Sequence, residues 1–217
     1  MSQRTLRRVG VIGDVHTEDA SLDLALRHFD AMSLDAVLCV GDIVDGPGDA
    51  ERTCELLQAR GVVCVRGNHE RWFLAGGERF VPEWTRFEAV SERANAFLAG
   101  LPETWAFETD AGPALLCHGI GRDDMACLKP DDYGYGLENN TALWRLHGAG
   151  DVRWMLGGHT HTRMVRRFDH LTVLNAGTLY RPHDPCVMVV DFAALEAEFH
   201  DLGRDGFSLS TRVALRP

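Results

Sequence analysis

The sequence lacks the features that identify several broad classes of protein. Its six cysteines form no Cys-x-x-Cys pair and lie far apart, mostly in apolar stretches, so we expect buried, reduced thiols. The apolar run at residues 9–12, after a basic N-terminal segment, is too short for a signal-peptide core or a membrane span. We find no internal repeat, low-complexity segment or linker. We therefore expect a cytoplasmic protein with no membrane partner.

Positive charge is also scarce. The chain has 22 lysines and arginines against 32 aspartates and glutamates, a formal charge of −10, which is the wrong sign for a protein that mainly neutralises nucleic-acid phosphates. Hydrophobic residues make up 45% and charged residues 25%, as in ordinary globular chains, which excludes wholesale disorder. A length of 217 residues lies within single-domain range, and we expect one domain over residues 1–217.

Strand and helix patterns alternate through the first third of the chain. Residues 9–13, 36–40 and 62–65 are short apolar runs typical of buried strands, and 19–32 and 50–60 carry apolar residues at helical spacing. Two successive βαβ units follow from this order. Their near-continuous apolar strands predict a parallel sheet, and right-handed crossovers place all of its strand ends at one edge.

The rest of the chain becomes rich in strands. We predict a helix over 83–99 started by Pro82, a long loop over 119–136 and a helix over 137–147. The predicted strands of this part are 104–108, 114–117, 152–156, 164–168, 172–174, 187–190, 196–200 and 207–213. An α/β first half followed by consecutive strands predicts two packed sheets with helices outside.

Five polar segments each follow a predicted strand and contain half of the ten histidines. Asp14 and His16 are two residues apart on an extended segment, as are His159 and His161, so each pair can point to one side and bind one ion. The segments are Gly13-Asp-Val-His16, Gly41-Asp-Ile-Val-Asp45, Gly67-Asn-His-Glu70, Cys117-His-Gly119 and Gly157-Gly-His-Thr-His161.

The residue types in these segments suit a particular chemistry. Mixed oxygen and imidazole ligands favour divalent transition metals such as Mn, Fe or Zn over an all-oxygen calcium site. A carboxylate among them could bridge two ions. Two ions about 3.5–4 Å apart can activate a water and neutralise phosphoryl oxygens, so the pattern favours phosphoester hydrolysis.

Taken in this order, the segments resemble the signature of the calcineurin-like metallophosphoesterase superfamily: D-x-H, G-D-x-x-D, G-N-H-[DE], H, then G-H-x-H. The resemblance implies a two-sheet β-sandwich flanked by helices, four layers in all, and two divalent ions with a bridging hydroxide as nucleophile. It places Asp14, His16 and His161 on one metal, and Asn68, His118 and His159 on the other, with Asp42 as the bridge. His69 would stabilise the phosphoryl group or protonate the leaving oxygen, and Asp45 would orient it. Asn175-Ala-Gly177 resembles the Asn-x-Gly turn of the family.

Several functions of the family stay open. Gly46 and Thr17 stand where the protein-phosphatase branch has arginine and glycine, although Arg66 before Gly67 matches that branch. We expect a small-molecule phosphomonoester or phosphodiester as substrate. The alternatives are a protein Ser/Thr phosphatase-like enzyme, a dinucleoside-polyphosphate hydrolase, or a non-catalytic scaffold like the retromer subunit of this fold, whose relatives tend to lose the catalytic histidine.

Some residues outside the five segments have two interpretations. Tyr133 and Tyr135 could stack on a nucleobase, but we expect them to pack over the edge of the core. Arg122 could reach a phosphate, but a solvated loop charge is the simpler interpretation. The other five histidines match no segment, and we expect surface or structural roles for them: His28, His147, His170, His183 and His200.

Overall fold

The computed structural model describes residues 5–76, 81 and 83–216. Within them, eleven strands form two sheets, and six α-helices and one 3-10 helix (Phe87–Ala89) accompany the sheets. The strands are β1 (Arg8–Ile12), β2 (Ala36–Cys39), β3 (Val63–Cys64), β4 (Thr104–Thr109), β5 (Gly112–Cys117), β6 (Trp154–Gly157), β7 (Met164–Phe168), β8 (Leu171–Asn175), β9 (Cys186–Asp191), β10 (Glu196–Gly203) and β11 (Gly206–Ala214). The helices are α1 (Asp19–Asp30), α2 (Ala50–Ala59), α3 (Asn68–Ala75), α4 (Glu92–Ala99), α5 (Gly134–Glu138) and α6 (Thr141–Ala149). In this part of the chain, no helix combines the length and apolar character needed to cross a membrane.

The first sheet has the strand order β11-β10-β9-β1-β2-β3. Strands β1, β2 and β3 run parallel, which confirms the two predicted βαβ units, and β9 pairs antiparallel with β1. Alternating side chains of β1 enter different apolar clusters: Val9 and Val11 face the second sheet, whereas Ile12 faces the helices. Because both faces are covered, nearly every residue of these strands is apolar.

The second sheet has the order β4-β5-β6-β8-β7. Its three central strands β5, β6 and β8 are parallel, and β4 forms an antiparallel hairpin with β5. The predicted α/β class, with two packed sheets and flanking helices, is therefore confirmed. The last three strands return to the first sheet, so the chain builds the second sheet in its middle.

Three apolar clusters separate four layers, as the β-sandwich with flanking helices requires. The central cluster lies between the sheets and includes Val11, Met188 and Trp154. One outer cluster packs α1, α2 and α4 on the first sheet, and the other packs α6 and the loop after β5 on the second sheet. Burial of these faces stabilises the fold at about 25 cal/mol for each Å² of apolar surface removed from water.

Two predicted helices have different bounds in the structure. The helix predicted over 83–99 begins only at Glu92, because Ser91 caps it: its hydroxyl accepts a hydrogen bond from the Ala94 N–H at 3.2 Å. The carboxylate of Glu51 holds Ser91 by accepting from its N–H and its hydroxyl, which ties this helix start to α2. The predicted starting residue, Pro82, lies outside the described residues.

The helix predicted over 137–147 is divided into two. Helix α5 ends at Glu138, and a new cap then forms at Asn140, whose side-chain oxygen accepts from the Leu143 N–H at 3.1 Å. The indole N–H of Trp144 donates to the Leu137 carbonyl, which holds the two short helices together. The predicted loop thus ends at Tyr133, one residue before α5 begins.

A close backbone approach fixes the end of β1 and so the position of Asp14. The turn after β8 is closed by Asn175, whose side-chain oxygen accepts from the Gly177 N–H at 2.9 Å. A Cβ built on Gly13 would lie 1.9 Å from the Gly177 carbonyl oxygen, so only glycine fits there. The Asp14 carbonyl then accepts from the Leu179 N–H at 2.9 Å, which anchors this backbone.

We predict that Gly13→Ala destabilises the protein by about 3 kcal/mol or more, because backbone rather than a flexible side chain must move. Gly148→Ala is the matched control: Gly148 is exposed in α6 with nothing within 4 Å of its Cβ position, so the change should stabilise by up to about 1 kcal/mol. Urea unfolding of both variants measures the difference. Equal stabilities would show that the approach at Gly13 is not a constraint.

Candidate metal centre

The carboxyl ends of strands from both sheets meet at one edge. There, His118 after β5 contacts three residues that follow strands of the first sheet. Its ring nitrogens lie 3.5 Å from Asp14 Oδ1, 3.2 Å from Asp42 Oδ2 and 2.8 Å from Asn68 Oδ1. The predicted gathering of these three residues is confirmed, and the second sheet adds His118, His159 and His161 to it.

Backbone strain is concentrated at this edge. Among the described residues, nine other than glycine have a positive φ, and five of them lie in the polar segments. These five are His16, Asp42, Asp45, His159 and His161, with φ between 47° and 68°. Such conformations persist only where surrounding structure enforces them, and they are typical of functional sites.

The first cluster of possible ligand atoms consists of His16, Asp42 and His161, whose atoms all lie within 4.8 Å of one another. His16 Nδ1 lies 2.8 Å from the Asp45 carbonyl oxygen and donates to it, which leaves Nε2 facing the cluster. The Nε2 atoms of His16 and His161 are 3.0 Å apart. Either a proton on His161 Nε2 or a cation beside both atoms keeps two lone pairs from facing each other at that distance.

Both imidazoles of this cluster are held in the neutral form that binds metals. Burial lowers the pKa of His16. Burial, together with the neighbouring His16 and His183, lowers the pKa of His161 to about 3. Because a metal ligand must offer a free lone pair, neutral imidazole at pH 7 favours binding.

The second cluster consists of Asp42, His118 and His159. His118 Nδ1 donates to the Val40 carbonyl at 3.0 Å, so Nε2 faces Asp42, the Asn68 side-chain oxygen and His159 Nδ1, the last at 3.3 Å. Burial alone would lower the pKa of His118, but the charge of Asp42 and its hydrogen bond raise it to about 10. The proton on His118 Nε2 therefore occupies the position at which the cluster would hold a cation.

Asp42 belongs to both clusters, and Asp14 lies beside the first. Burial would raise the pKa of Asp42, but His118, His69 and His16 hold it well below its usual range. For Asp14, burial dominates and raises the pKa to about 7. Asp14 Oδ1 accepts from the His159 N–H at 3.0 Å, whereas its Oδ2, 3.8 Å from His161 Nε2, is buried and finds no hydrogen bond among the described residues.

An unsatisfied buried carboxylate oxygen costs free energy that a bound cation would recover. The donors around it are carboxylate, imidazole and amide oxygen, the set that divalent transition metals prefer. The residues present therefore fit a metal ion, and Asp42 belongs to both groups of possible ligands.

His69 lies between the clusters without joining either. Its Nδ1 is 2.8 Å from Asp45 Oδ2, and its Nε2 is 3.9 Å from Asp42 Oδ2. Burial opposes its charge, but the hydrogen bond to Asp45 and the charge of Asp42 raise the pKa of His69. Thr85 fixes Asp45 in turn, since the Thr85 N–H donates to Asp45 Oδ1 at 2.7 Å and the Asp45 N–H donates to Thr85 Oγ1 at 2.9 Å.

The carboxylate of Glu70 links two of the polar segments, residues 41–45 and 67–70. It is fully buried and accepts hydrogen bonds from the backbone N–H groups of Asp42, Ile43, Val44 and Gly67, at 2.6–3.1 Å. A Cβ on Gly67 would lie 2.2 Å from Asp42 Oδ1, so glycine is needed where the segments touch. Glu70 thus sets the position of Asp42.

Two residues that the sequence analysis did not assign to the site border the first cluster. The Nδ1 atoms of His161 and His183 are 2.7 Å apart, so one ring donates to the other. The Tyr180 ring lies 5.5 Å from that of His16 and 6.1 Å from that of His161. No strand ends immediately before either residue; the one available signal is that both follow the Asn175-Ala-Gly177 turn within a few positions.

The expectation that Tyr133 and Tyr135 pack over the core edge is wrong. Their side chains are 84% and 82% exposed, because they stand at the start of α5, which has no buried residue of its own. Of the remaining histidines, His28 and His200 contact each other at 3.1 Å, and His147 pairs with Asp169; none of them belongs to either cluster.

Comparison with known proteins agrees with this architecture. The protein-family model of the calcineurin-like phosphoesterase superfamily domain matches residues 8–195, and this range includes every candidate site residue. The chain is 27% identical over 195 residues to a protein of Methanothermobacter thermautotrophicus named "Probable metallophosphoesterase", covering 88% of this chain and 90% of that protein.

Solved structures share the fold. A metallophosphoesterase from Sphaerobacter thermophilus superposes with a TM-score of 0.69 at 20% identity, covering 91% of this chain and 88% of that one. A zinc complex of Vps29 from Entamoeba histolytica superposes with a TM-score of 0.56 at 20% identity, covering 96% and 99% of the two chains. At these identities the likeness concerns the two sheets and their helices.

We predict that Glu70→Ala destabilises the protein by about 3 kcal/mol or more, because four buried N–H groups lose a charged acceptor at once. Glu55→Ala is the control: this exposed residue of α2 pairs only with Arg52 among its described neighbours, and its loss should cost less than about 1 kcal/mol. Chemical denaturation compares the two. A cost below 1 kcal/mol at Glu70 would refute its positioning role.

Proposed function

Because the chain belongs to the calcineurin-like phosphoesterase superfamily, we propose that it hydrolyses phosphomonoesters or phosphodiesters with two divalent transition-metal ions, Mn, Fe or Zn. The observation that carries the proposal is the position of Asp42. Its Oδ2 lies 3.9 Å from His16 Nε2 in one cluster and 3.2 Å from His118 Nε2 in the other, so one carboxylate serves both.

In this proposal, each cluster would hold one ion, and Asp42, which belongs to both clusters, would be a ligand of each. Asp14, His16 and His161 complete the first set of ligands, and Asn68, His118 and His159 complete the second. Two such ions supply an activated water and neutralise the phosphoryl oxygens during in-line attack. The chain contributes the fixed imidazole orientations: His16 and His118 each donate Nδ1–H to a backbone carbonyl, which leaves Nε2 free to bind.

His69 supplies the proton for the leaving oxygen. Asp45 accepts the hydrogen bond from His69 Nδ1 and favours the charged ring, which suits the other nitrogen, Nε2, to donate a proton. That nitrogen faces the space between the clusters, at 3.9 Å from Asp42 Oδ2. Charged His69 also attracts the phosphoryl group before transfer.

We expect the substrate to be a small phosphoester rather than nucleic acid. The formal charge of −10 repels a polyanion at long range. Near the site, two divalent ions would outweigh Asp14 and Asp42 and leave a local positive charge that suits one phosphate.

We predict that His69→Ala lowers kcat by about 10²–10⁴-fold, because the leaving oxygen loses its proton donor. Metal content should not change, since His69 belongs to neither cluster. His147→Ala, which removes a histidine that pairs with Asp169, is the control and should keep both properties. Steady-state kinetics with phenyl phosphate, whose phenolate leaving group is basic enough to need a proton, and elemental analysis test this. Unchanged kcat in His69→Ala, or loss of its metal, would contradict the role.

Metal removal gives a second test. We predict that chelation abolishes hydrolysis of p-nitrophenyl phosphate and bis(p-nitrophenyl) phosphate, and that Mn, Fe or Zn restores it whereas Ca does not, because imidazole ligands disfavour calcium. Each metal is tested against each substrate, with the bound metal measured per chain. Full activity in the chelated protein would contradict the proposal.

A non-catalytic scaffold is the second candidate. The observation that favours it is the exposure of Tyr133, Tyr135 and Met125 on the segment after His118, since exposed aromatic groups are typical of binding surfaces. The two candidates differ in one result. Tight metal binding with no turnover of either ester would favour the scaffold, and turnover that is lost with His69 favours the enzyme.

A further inference from the structure

A small cavity lies beside the second cluster, since His118 belongs to the cluster and also lines the cavity. Its volume is about 90 Å³, room for about three water molecules and so for one tetrahedral oxyanion. The described residues that line it are Arg66, Arg71, Glu103, His118, Gly121, Arg122 and Asp124. We call it the arginine cavity.

The charges of the arginine cavity do not balance. Arg71 is matched by Asp124, since its Nε lies 2.6 Å from Oδ2 and its Nη2 lies 2.9 Å from Oδ1. Arg66 and Arg122 share the single carboxylate of Glu103, each at 3.2 Å. Among these lining residues, three guanidinium groups therefore face two carboxylates, and one positive charge is left over.

The two arginines that share Glu103 can turn to another anion at little cost. The side chain of Arg122 is 83% exposed and that of Glu103 is 47% exposed, so solvent screens their ion pair and it stabilises little. Arg66 is better fixed: its side chain is 26% exposed, and its backbone N–H donates to the Pro102 carbonyl at 2.8 Å. One arginine is thus held in place and the other can close over a ligand.

The sequence positions of these arginines tie the cavity to the metal centre. Arg66 stands two residues before Asn68, and Arg122 stands four residues after His118. Arg71 lies on the same helix as Asn68, and its pair with Asp124 fixes the loop that carries Arg122. Most of the cavity is therefore built by the segments that carry Asn68 and His118.

We propose that the arginine cavity binds a phosphate group that the substrate carries in addition to the one that is hydrolysed. Planar guanidinium groups match phosphate with paired hydrogen bonds, and two of them can contact one phosphate. This inference rests on the proposed function and narrows its substrate class to bisphosphorylated small molecules. It assigns Arg122 a phosphate contact, although its side chain, 83% exposed, agrees with the solvated loop charge that we expected.

The first experiment counts bound inorganic phosphate per chain by equilibrium dialysis, with and without chelation of the metal. We expect two in the metal-loaded wild type and one after chelation. Arg66→Ala and Arg122→Ala should each bind one when loaded and none after chelation, with affinity at the arginine cavity falling about 10-fold or more. Arg52→Ala removes an equally charged, exposed arginine of α2 and should match the wild type.

This design separates two failures. If phosphate binds only in the presence of metal, and the number bound per chain is the same in all variants, the arginine cavity is not a phosphate site. The inference is then overturned, while the proposed function stands. If one phosphate depends on the arginines but none depends on metal, the proposed function fails and the cavity remains a phosphate site.

The second experiment distinguishes a phosphate of the substrate from free phosphate. Hydrolysis of adenosine 5′-monophosphate is compared with that of adenosine 3′,5′-bisphosphate, which differs by one phosphate. We expect the wild type to favour the bisphosphate in kcat/KM by 10-fold or more, and Arg122→Ala to lose this preference. A preference that is absent, or that survives in Arg122→Ala, would overturn the substrate class.

Discussion

The structure depends on one constraint: buried negative charge must be compensated where two sheets meet. Asp14 and Asp42 have almost no exposed surface. Both lie at the ends of strands, where glycines allow other parts of the chain to approach closely. Within the described chain, histidines and backbone N–H groups supply most of the compensation, but Asp14 Oδ2 is left without a hydrogen bond. A site that leaves such an atom unsatisfied is stabilised by a cation, and this links the stability of the edge to its chemistry.

Much of this edge could be predicted from the sequence because its determinants are local. A β-branched run that ends in Gly-Asp or Gly-Asn marks the carboxyl end of a parallel strand, and two βαβ units bring three such ends together. The predicted gathering of Asp14, Asp42 and Asn68 follows from that topology alone. The roles of His159 and His161 needed the ordered signature, since periodicity does not say which sheet they join.

Other parts could not be predicted because they depend on contacts distant in the chain. Thr85 is 40 residues from Asp45, and nothing in its neighbourhood marks it as the residue that fixes that carboxylate. His183 reaches His161 across 22 residues through a turn with no regular pattern. The helix starts after Ser91 and Asn140 were not predicted, because these cap residues determine where each helix begins and the helical spacing of apolar residues does not show it. The arginine cavity likewise exists only once β3 and the loop after β5 lie side by side.

The central claim is that Asp42 bridges two ions. Anomalous X-ray diffraction from crystals grown with manganese tests it directly, because it locates each ion without reference to activity. The account predicts two peaks about 3.5–4 Å apart with the Asp42 carboxylate between them, one beside His16 and His161 and the other beside His118 and His159. A single peak, or two peaks that share no Asp42 contact, would contradict it.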